Sequence, residues 1–238
     1  MLPAQPNQSL IDGLACLQAL ASAGTPVGSR QMGRELGLES TRVNRLLKTL
    51  AHLGIAQQTA DRQYAPGPAM HVLAAQAMFG SGLLRRAIGP LESLRPVKLA
   101  VAMGVLWRDH VSYLYHAAPG AGTGAALGRV GLYPATRSGI GLVLLSRLPV
   151  ADVRTLYCDE IPNFASLAAL LAELKHIRET GVAINRPSPE QKTRTIAVAI
   201  EGESAAIALS GEFTDQQTAS LVAALREAAG QIALPEKV

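Results

Sequence analysis

The sequence predicts an α+β protein in two parts, a winged helix-turn-helix followed by an antiparallel sheet with helices. Three observations predict it. Residues 40–53 place Val43, Leu46, Leu47, Leu50 and Leu53 on one narrow helical face, at about 100° per residue, with Thr41, Arg45, Lys48 and His52 opposite. Two shorter helical patterns precede that helix and a short hairpin follows it. From residue 96 onward the texture changes to strand-like runs separated by turns and helices.

Residues 1–8 read as a loose leader. Residues 9–23 carry apolar side chains at helical spacing, with Ser9 placed to cap and Asp12 three positions on. "GTPVG" breaks that helix, and Ser29 is placed to cap a second one over 29–36. "GLES" turns the chain into the amphipathic helix, which ends near Gly54. "IAQQTADRQYAPG" reads as strand, polar turn, strand and a Pro-Gly stop. Residues 68–88 read as one linker helix with a bend at Gly80 to Gly82. Two strands then flank a "WRDH" turn, and "PGAGTG" reads as a flexible turn. An apolar helix over 138–148 stops at Pro149, and another over 165–180 stops at Gly181. "TIAVAI" and "AAIALSG" are strands joined by "EGES", and a closing helix over 214–232 starts at Thr214. The domains expected are 1–67, the linker 68–88 and 89–238.

The totals narrow the classes. The chain has 238 residues, of which 48% are hydrophobic, enough to build a core and to exclude a mainly disordered chain. A net charge of +4 hints at an anionic partner. Two distant cysteines, Cys16 and Cys158, give no zinc, redox or disulfide spacing, and a reducing cytoplasm fits best. The N-terminus lacks a basic stretch and an apolar stretch of signal-peptide type, and no run is long and apolar enough to span a bilayer. No membrane partner is expected.

The amphipathic helix has the character of a recognition helix. One face packs on its own domain and the other meets bases and phosphates in a groove about 12 Å wide. Arg45 and Lys48 suit guanine edges or phosphates, Asn44 suits adenine, and Thr41 and Arg42 occupy the first turn, where such helices reach base edges. Ser29 and Arg30 open the preceding helix. Arg62, in the turn of the hairpin, is placed for a phosphate or the minor groove. The alternative is an ordinary surface helix with a solvated basic face, and the order of the neighbouring elements argues against it.

The stretch "MGRELGLESTRVNRLLKTLAHLGIAQQTADRQYAPGPAM" resembles the DNA-binding half of the IclR-type transcriptional regulators. The matching pieces are Gly37-Leu38, Ser40, Thr41, Val43, Arg45-Leu46-Leu47, Thr49-Leu50 and Tyr64-Ala65-Pro66-Gly67. "GRVGLYPATRSGIGLVLLSRLP", "ELKHIRETGVAINRP" and "IALSG" are similar to segments of that family's second half. The resemblance implies a GAF-like effector-binding and oligomerisation domain with a curved antiparallel sheet that binds a small molecule. There are departures. Pro134-Ala135-Thr136-Arg137-Ser138-Gly139-Ile140 stands where the family often has His-Ala-Thr-Ala-x-Gly-Lys, residues 149–166 are short, and Thr195 replaces a frequent cysteine.

By the resemblance, the effector site draws on the loop 128–141 and the concave sheet face: Leu127, Tyr133, Ala135, Gly139, Ile140, Asn185, Thr195, Ala208 and Ser210. From strand alternation alone, Met103, Val105, Tyr113 and Tyr115 share one face. Each apolar member is either pocket wall or plain core. Arg137 either receives a carboxylate or sits at a rim or dimer contact. An enzyme is not expected: Tyr113, Tyr115, His116, Cys158 and Asp159 match no nucleophile or metal spacing, and "PGAGTG" lacks a phosphate-loop lysine. No cofactor and no metal are expected. The expected protein is a cytoplasmic regulator that binds a palindromic operator in double-stranded DNA and a small organic effector. One winged helix reads too few bases, so a homodimer or dimer of dimers is expected. Repression is the default reading. An activator of the same architecture, or a ligand-binding module without DNA function, is the alternative.

Overall fold

The computed structural model describes residues 5–127, 131–157, 161–185 and 192–233. The chain divides into two compact units, Met1–Gly82 and Leu83–Val238.

The first unit runs α1 (Gln8–Ser22), α2 (Ser29–Leu36), α3 (Ser40–His52), β1 (Ala56–Gln58), β2 (Tyr64–Pro66) and α4 (Pro68–Ser81). Cys16, Leu20, Met32, Val43, Leu47 and Tyr64 form its core. Burial raises the Cys16 thiol above its ordinary pKa, as befits a small core residue. The strands pair antiparallel, and Tyr64 exchanges two backbone hydrogen bonds with Val27, tying the hairpin to the α1–α2 connection.

Two caps differ from the sequence reading. Asn7, not Ser9, caps α1, its side chain accepting from the Leu10 amide at 3.1 Å. Gly28 holds the N-cap position of α2, and Ser29 is its first helical residue.

The single helix read over 68–88 is two helices. Gly82 takes the left-handed conformation with φ +61°, which glycine adopts without a Cβ clash, and it ends α4. The next helix, α5 (Leu83–Ser93), belongs to the second unit.

That unit continues with β3 (Ala100–Trp107), β4 (His110–Ala117), α6 (Thr123–Ala126), β5 (Leu132–Pro134), α7 (Gly139–Ser146), α8 (Val150–Leu156), α9 (Leu167–Thr180), β6 (Ala183–Asn185), β7 (Arg194–Ala199), β8 (Ala205–Gly211) and α10 (Asp215–Ala233). The sequence reading leaves 150–156 without an element, and α8 fills it. Part of the Gly-rich turn is the one-turn α6. At the start of α10 the Thr214 amide donates to Gln217 Oε1 at 2.8 Å, one half of a capping box.

The strands form one antiparallel sheet of order β5-β4-β3-β8-β7-β6. Its two faces are built differently. Val101, Met103, Ile196, Val198, Ile207 and Leu209 point to the side carrying α5 and α10. Ala102, Ala197, Ala206 and Ala208 point to the side carrying α7 and α9. The small side chains let α7 sit close to the strands. All eight of its residues are buried, as a helix apolar all round must be.

On the other face Tyr115 donates to Glu92 Oε1 at 2.6 Å, which fastens α5 to β4. Burial and that carboxylate push the Tyr115 hydroxyl up to about 12. The same bond holds the Glu92 carboxyl below its ordinary pKa.

Gly141 carries the tightest approach of α7. A Cβ there would lie 2.2 Å from the Ala135 carbonyl oxygen and 2.5 Å from its Cα. Backbone cannot yield as a side-chain tip can. Gly141→Ala is therefore expected to destabilise the second unit by about 3 kcal/mol or more, read as a lowered denaturant midpoint in urea titration.

Candidate functional site

Two surfaces hold the residues singled out from the sequence. The first is the outward face of α3. Val43 and Leu47 are buried behind it, and Thr41, Arg45, Lys48 and His52 are exposed in front. Arg45 and Lys48 form no ion pair among the described residues. Arg30, at the start of α2, is exposed as well. Arg62 is exposed in the hairpin turn with φ +58°, where its amide donates to the Thr59 carbonyl at 3.0 Å. Thr41 lends its hydroxyl to Glu39 at 2.6 Å.

Three members of the expected set stand differently. Arg42 turns inward, its Nε 2.6 Å from Asp12 Oδ2. Asp12 is only 4% exposed and also accepts from Gln8 at 2.7 Å, so the guanidinium compensates a carboxylate that α1 takes out of water. Asn44 accepts the Tyr64 hydroxyl proton at 3.2 Å, which braces α3 against the hairpin and occupies the oxygen expected for adenine. Ser29 is half-buried. Helical spacing alone assigns Arg42 and Asn44 to the flanks of the polar face. It does not show that α1 and β2 each send a partner to meet them.

The second surface is a pocket of about 180 Å³ in the second unit, at the N-terminal end of α7. Tyr113, Tyr133, Arg137, Gly139, Ile140, Thr195, Ala208 and Ser210 line it, all from the expected set. Its aromatic wall is Tyr113, with the Tyr133 ring 6.4 Å away and the His116 ring edge-on at 5.5 Å. Its polar fittings are paired hydroxyls: Tyr113 with Ser138 at 3.2 Å and Thr195 with Ser210 at 3.0 Å. Ser138 also caps α7, accepting from the Gly141 amide at 3.3 Å. The Gly139 and Ile140 amides open the helix at the pocket, a position that favours negative charge. Arg137 is exposed at the rim, with no acidic partner among the described residues.

Asn185 stands behind the pocket rather than in its wall. Its Nδ2 donates to the Arg137 carbonyl at 3.4 Å, and its buried Oδ1 has no partner among the described residues. That oxygen lies 3.0 Å from where a Gly139 Cβ would be.

Four expected lining residues are elsewhere. Met103 is buried in the opposite core, and Val105 packs against that core. They stand with Tyr115, and Tyr113 parts from them at an irregularity in the β3–β4 pairing: Met103 faces Tyr115 and Gly104 faces Tyr113, which leaves Leu114 as an extra residue. One extra residue inverts the alternation beyond it. Tyr113 therefore faces the pocket while Tyr115 faces Glu92 on the far side. Ala135 is fully buried beneath α7. Leu127 is 39% exposed and bridges to Tyr115 at the strand edge. Residues 128–130 of the expected loop, and Cys158 and Asp159, lie outside the described residues.

Ala100, Ala102, His116 and Ser138 line the pocket without having been expected. Ser138 had a signal, as an N-cap serine before Gly-Ile-Gly. His116 and Ala102 are register partners, which the sequence does not display.

Comparisons with known proteins bear on the family and the fold. The model described as IclR helix-turn-helix domain matches residues 9–60, and that described as bacterial transcriptional regulator IclR C-terminal matches residues 77–234. An IclR-type regulator from Alicyclobacillus acidocaldarius is similar in structure, with TM-score 0.73 and 18% identity over 96% of this chain and 98% of that one. A regulator from a Silicibacter species gives TM-score 0.80 and 21% identity over 94% of each chain. An IclR homologue from Microbacterium hydrocarbonoxydans, solved in complex with 4-hydroxybenzoate, gives TM-score 0.69 and 20% identity over 94% of this chain and 97% of that one. No curated protein sequence matches the chain.

Arg42 and Arg45 are three positions apart with different tasks. Arg42→Ala, which strands the Asp12 carboxylate, is expected to cost the first unit roughly 1–3 kcal/mol. Arg45→Ala is expected to leave stability within about 0.5 kcal/mol. Urea titration of both variants checks this pair.

Proposed function

The chain belongs to the IclR family of bacterial transcriptional regulators, and on that premise we propose that it represses transcription in response to a small, largely apolar or aromatic organic acid. The family joins a helix-turn-helix DNA-binding unit to a C-terminal effector domain, and it is a family of regulators rather than enzymes. Its working compartment is then the cytoplasm, where the DNA is. No helix among the described residues is long and apolar enough to cross a membrane.

The observation that carries the DNA reading is the exposed cationic face of α3, whose Arg45 and Lys48 form no ion pair among the described residues. Arg45 and Lys48 stand exposed on the helix face turned away from Val43 and Leu47. In a major groove they donate to guanine edges or phosphates, with Thr41 one turn earlier. Arg30 and Arg62 suit backbone phosphates on either side, which sets position rather than sequence preference. Arg42 and Asn44 serve by holding α3 rigid.

The effector reading rests on the pocket at α7. At about 180 Å³ it is smaller than drug-sized sites of roughly 300–1,000 Å³, so it suits a compact ligand. A ring fits against Tyr113 and Tyr133. A carboxylate suits the first α7 amides and Arg137, and the Thr195–Ser210 hydroxyl pair offers a polar handle. The 4-hydroxybenzoate held by the Microbacterium homologue has this chemistry and is the first compound to try. Such a ligand shifts the DNA-binding equilibrium only by its difference in affinity for the two states.

Dimerisation is supported by α4. None of its residues is buried, and Val72, Leu73, Met78 and Phe79 are exposed, Phe79 by 81%. An apolar helix left open in this way fits a second copy of the chain, and a two-fold pair reads a palindrome.

Two outcomes are expected. Arg45→Ala should lose roughly 1–3 kcal/mol of operator affinity in gel-shift titrations, and wild-type binding should fall with salt at about −0.9 log unit per neutralised phosphate. Wild-type affinity for the variant would remove Arg45 from the interface. Replacing Leu73 and Phe79 together by Glu should yield monomers in sedimentation and weaken operator binding by loss of avidity. An unchanged dimer would move the interface elsewhere.

A further inference from the structure

A second cavity, of about 410 Å³, lies at the opposite end of α7, where Val143, Ser146 and Arg147 meet α9, β7 and α10. It exists because β6 is short. Pairing between β6 and β7 stops at Ala183 opposite Ala197, so among the described residues no strand covers the outer edge of Val198 and Ala199. Helices on the two faces of the sheet reach around that edge and leave a hollow. Its floor is apolar, with Ile177 and Val198 buried there.

Its rim is cationic. Arg147, Arg178 and Arg226 all line it, against the single carboxylate of Glu201. Each arginine caps a carbonyl. Arg147 donates to Ile200 at 3.1 Å, Arg178 to Ser146 at 2.8 Å and Leu148 at 3.3 Å, and Arg226 to Thr180 at 2.9 Å. A guanidinium has five N–H donors, so these bonds leave several on each group unspent. Glu201 takes little of the remainder, being 3.6 Å from Arg147 and 90% exposed. The C-terminal ends of α7 and α9 offset part of the positive charge. Capping accounts for one or two bonds per arginine. It does not account for three guanidinium groups around one hollow.

Gly230 supplies an independent sign. It lines the same cavity from the last turns of α10, where alanine would be about 1 kcal/mol better for the helix. Apart from its chain neighbours and its own helix backbone, no atom of the described residues lies within 4 Å of where its Cβ would stand. Gly230 is exposed at the mouth of the hollow, and the packing of the described residues does not require glycine there.

We propose that this cavity is a second ligand site, separate from the pocket at the N-terminus of α7, and that it takes a small molecule with an apolar body and a phosphate or carboxylate group. The body lies on Ile177 and Val198, and the oxyanion is held by the spare guanidinium donors. Arginine suits both groups because its planar fork matches either oxyanion.

The test is calorimetric titration of the full-length protein with phenyl phosphate and, separately, phenylacetate. Three variants are run beside the wild type: Gly230→Trp, which fills the cavity and leaves every arginine in place, Arg226→Gln, and Arg137→Ala in the other pocket. Melting curves confirm that each is folded. At least one probe is expected to show a saturable binding event whose dissociation constant is raised roughly tenfold or more by Gly230→Trp and by Arg226→Gln and unchanged by Arg137→Ala, separate from any event at the N-terminal end of α7 that Arg137→Ala weakens. Which probe binds identifies the oxyanion. The site is refuted if neither probe saturates, or if every binding event survives both cavity variants, or if only Arg137→Ala weakens binding.

Discussion

The second unit depends on how closely α7 can lie on the sheet. The strands meet it with Ala102, Ala197, Ala206 and Ala208, and Gly141 lets its first turn touch the backbone of Ala135. An interior packs at the density of an organic crystal, so a helix set this low fills its whole length with contacts and cannot shift by a fraction. Two of the hollows of the unit lie where that contact stops. At the N-terminal end, the sheet face runs on past the helix with Thr195, Ser210 and the aromatic rings of β4. At the C-terminal end, β6 runs out before β7 does.

The first unit follows a similar logic with polar groups. A helix can present cations to a partner only if something holds the helix still. Val43 and Leu47 supply the apolar anchor. Arg42 with Asp12, and Asn44 with Tyr64, fix the angle of α3 against α1 and the hairpin. The buried carboxylate of Asp12 is costly on its own and is stabilised by the guanidinium that reaches it. Position along one helix therefore sorts the basic residues. Arg42 points to the frame, while Arg45 and Lys48 point away from it.

Across the sheet, β4 touches both sides of the second unit. Tyr113 and His116 reach the pocket, and Tyr115 reaches Glu92 on α5, the helix that begins directly after Gly82. The extra residue Leu114 makes this possible, since strict alternation would send both tyrosines the same way. A strand that presents one tyrosine to the pocket and the next to α5 is a short covalent path between them.

Period and punctuation made much of this legible in the sequence. The 3.6-residue spacing of Val43, Leu47 and Leu50 fixed α3 and its outward cations, because burial along a helix is set by local geometry. The alternating runs and the Gly and Pro stops located most strands and helices, and the motif of the first unit carried the family. Register was a different matter. Whether Tyr113 shares a face with Met103 and Tyr115 depends on one irregular pairing between two strands, which no local pattern records. The roles of Arg42 and Asn44 depend on Asp12 and Tyr64, about 20 or more positions away in the chain. Local periodicity is a property of consecutive residues, so the sequence determined the elements and their faces. Ion pairs, pockets and strand parity arise between segments, so only the tertiary structure decided them.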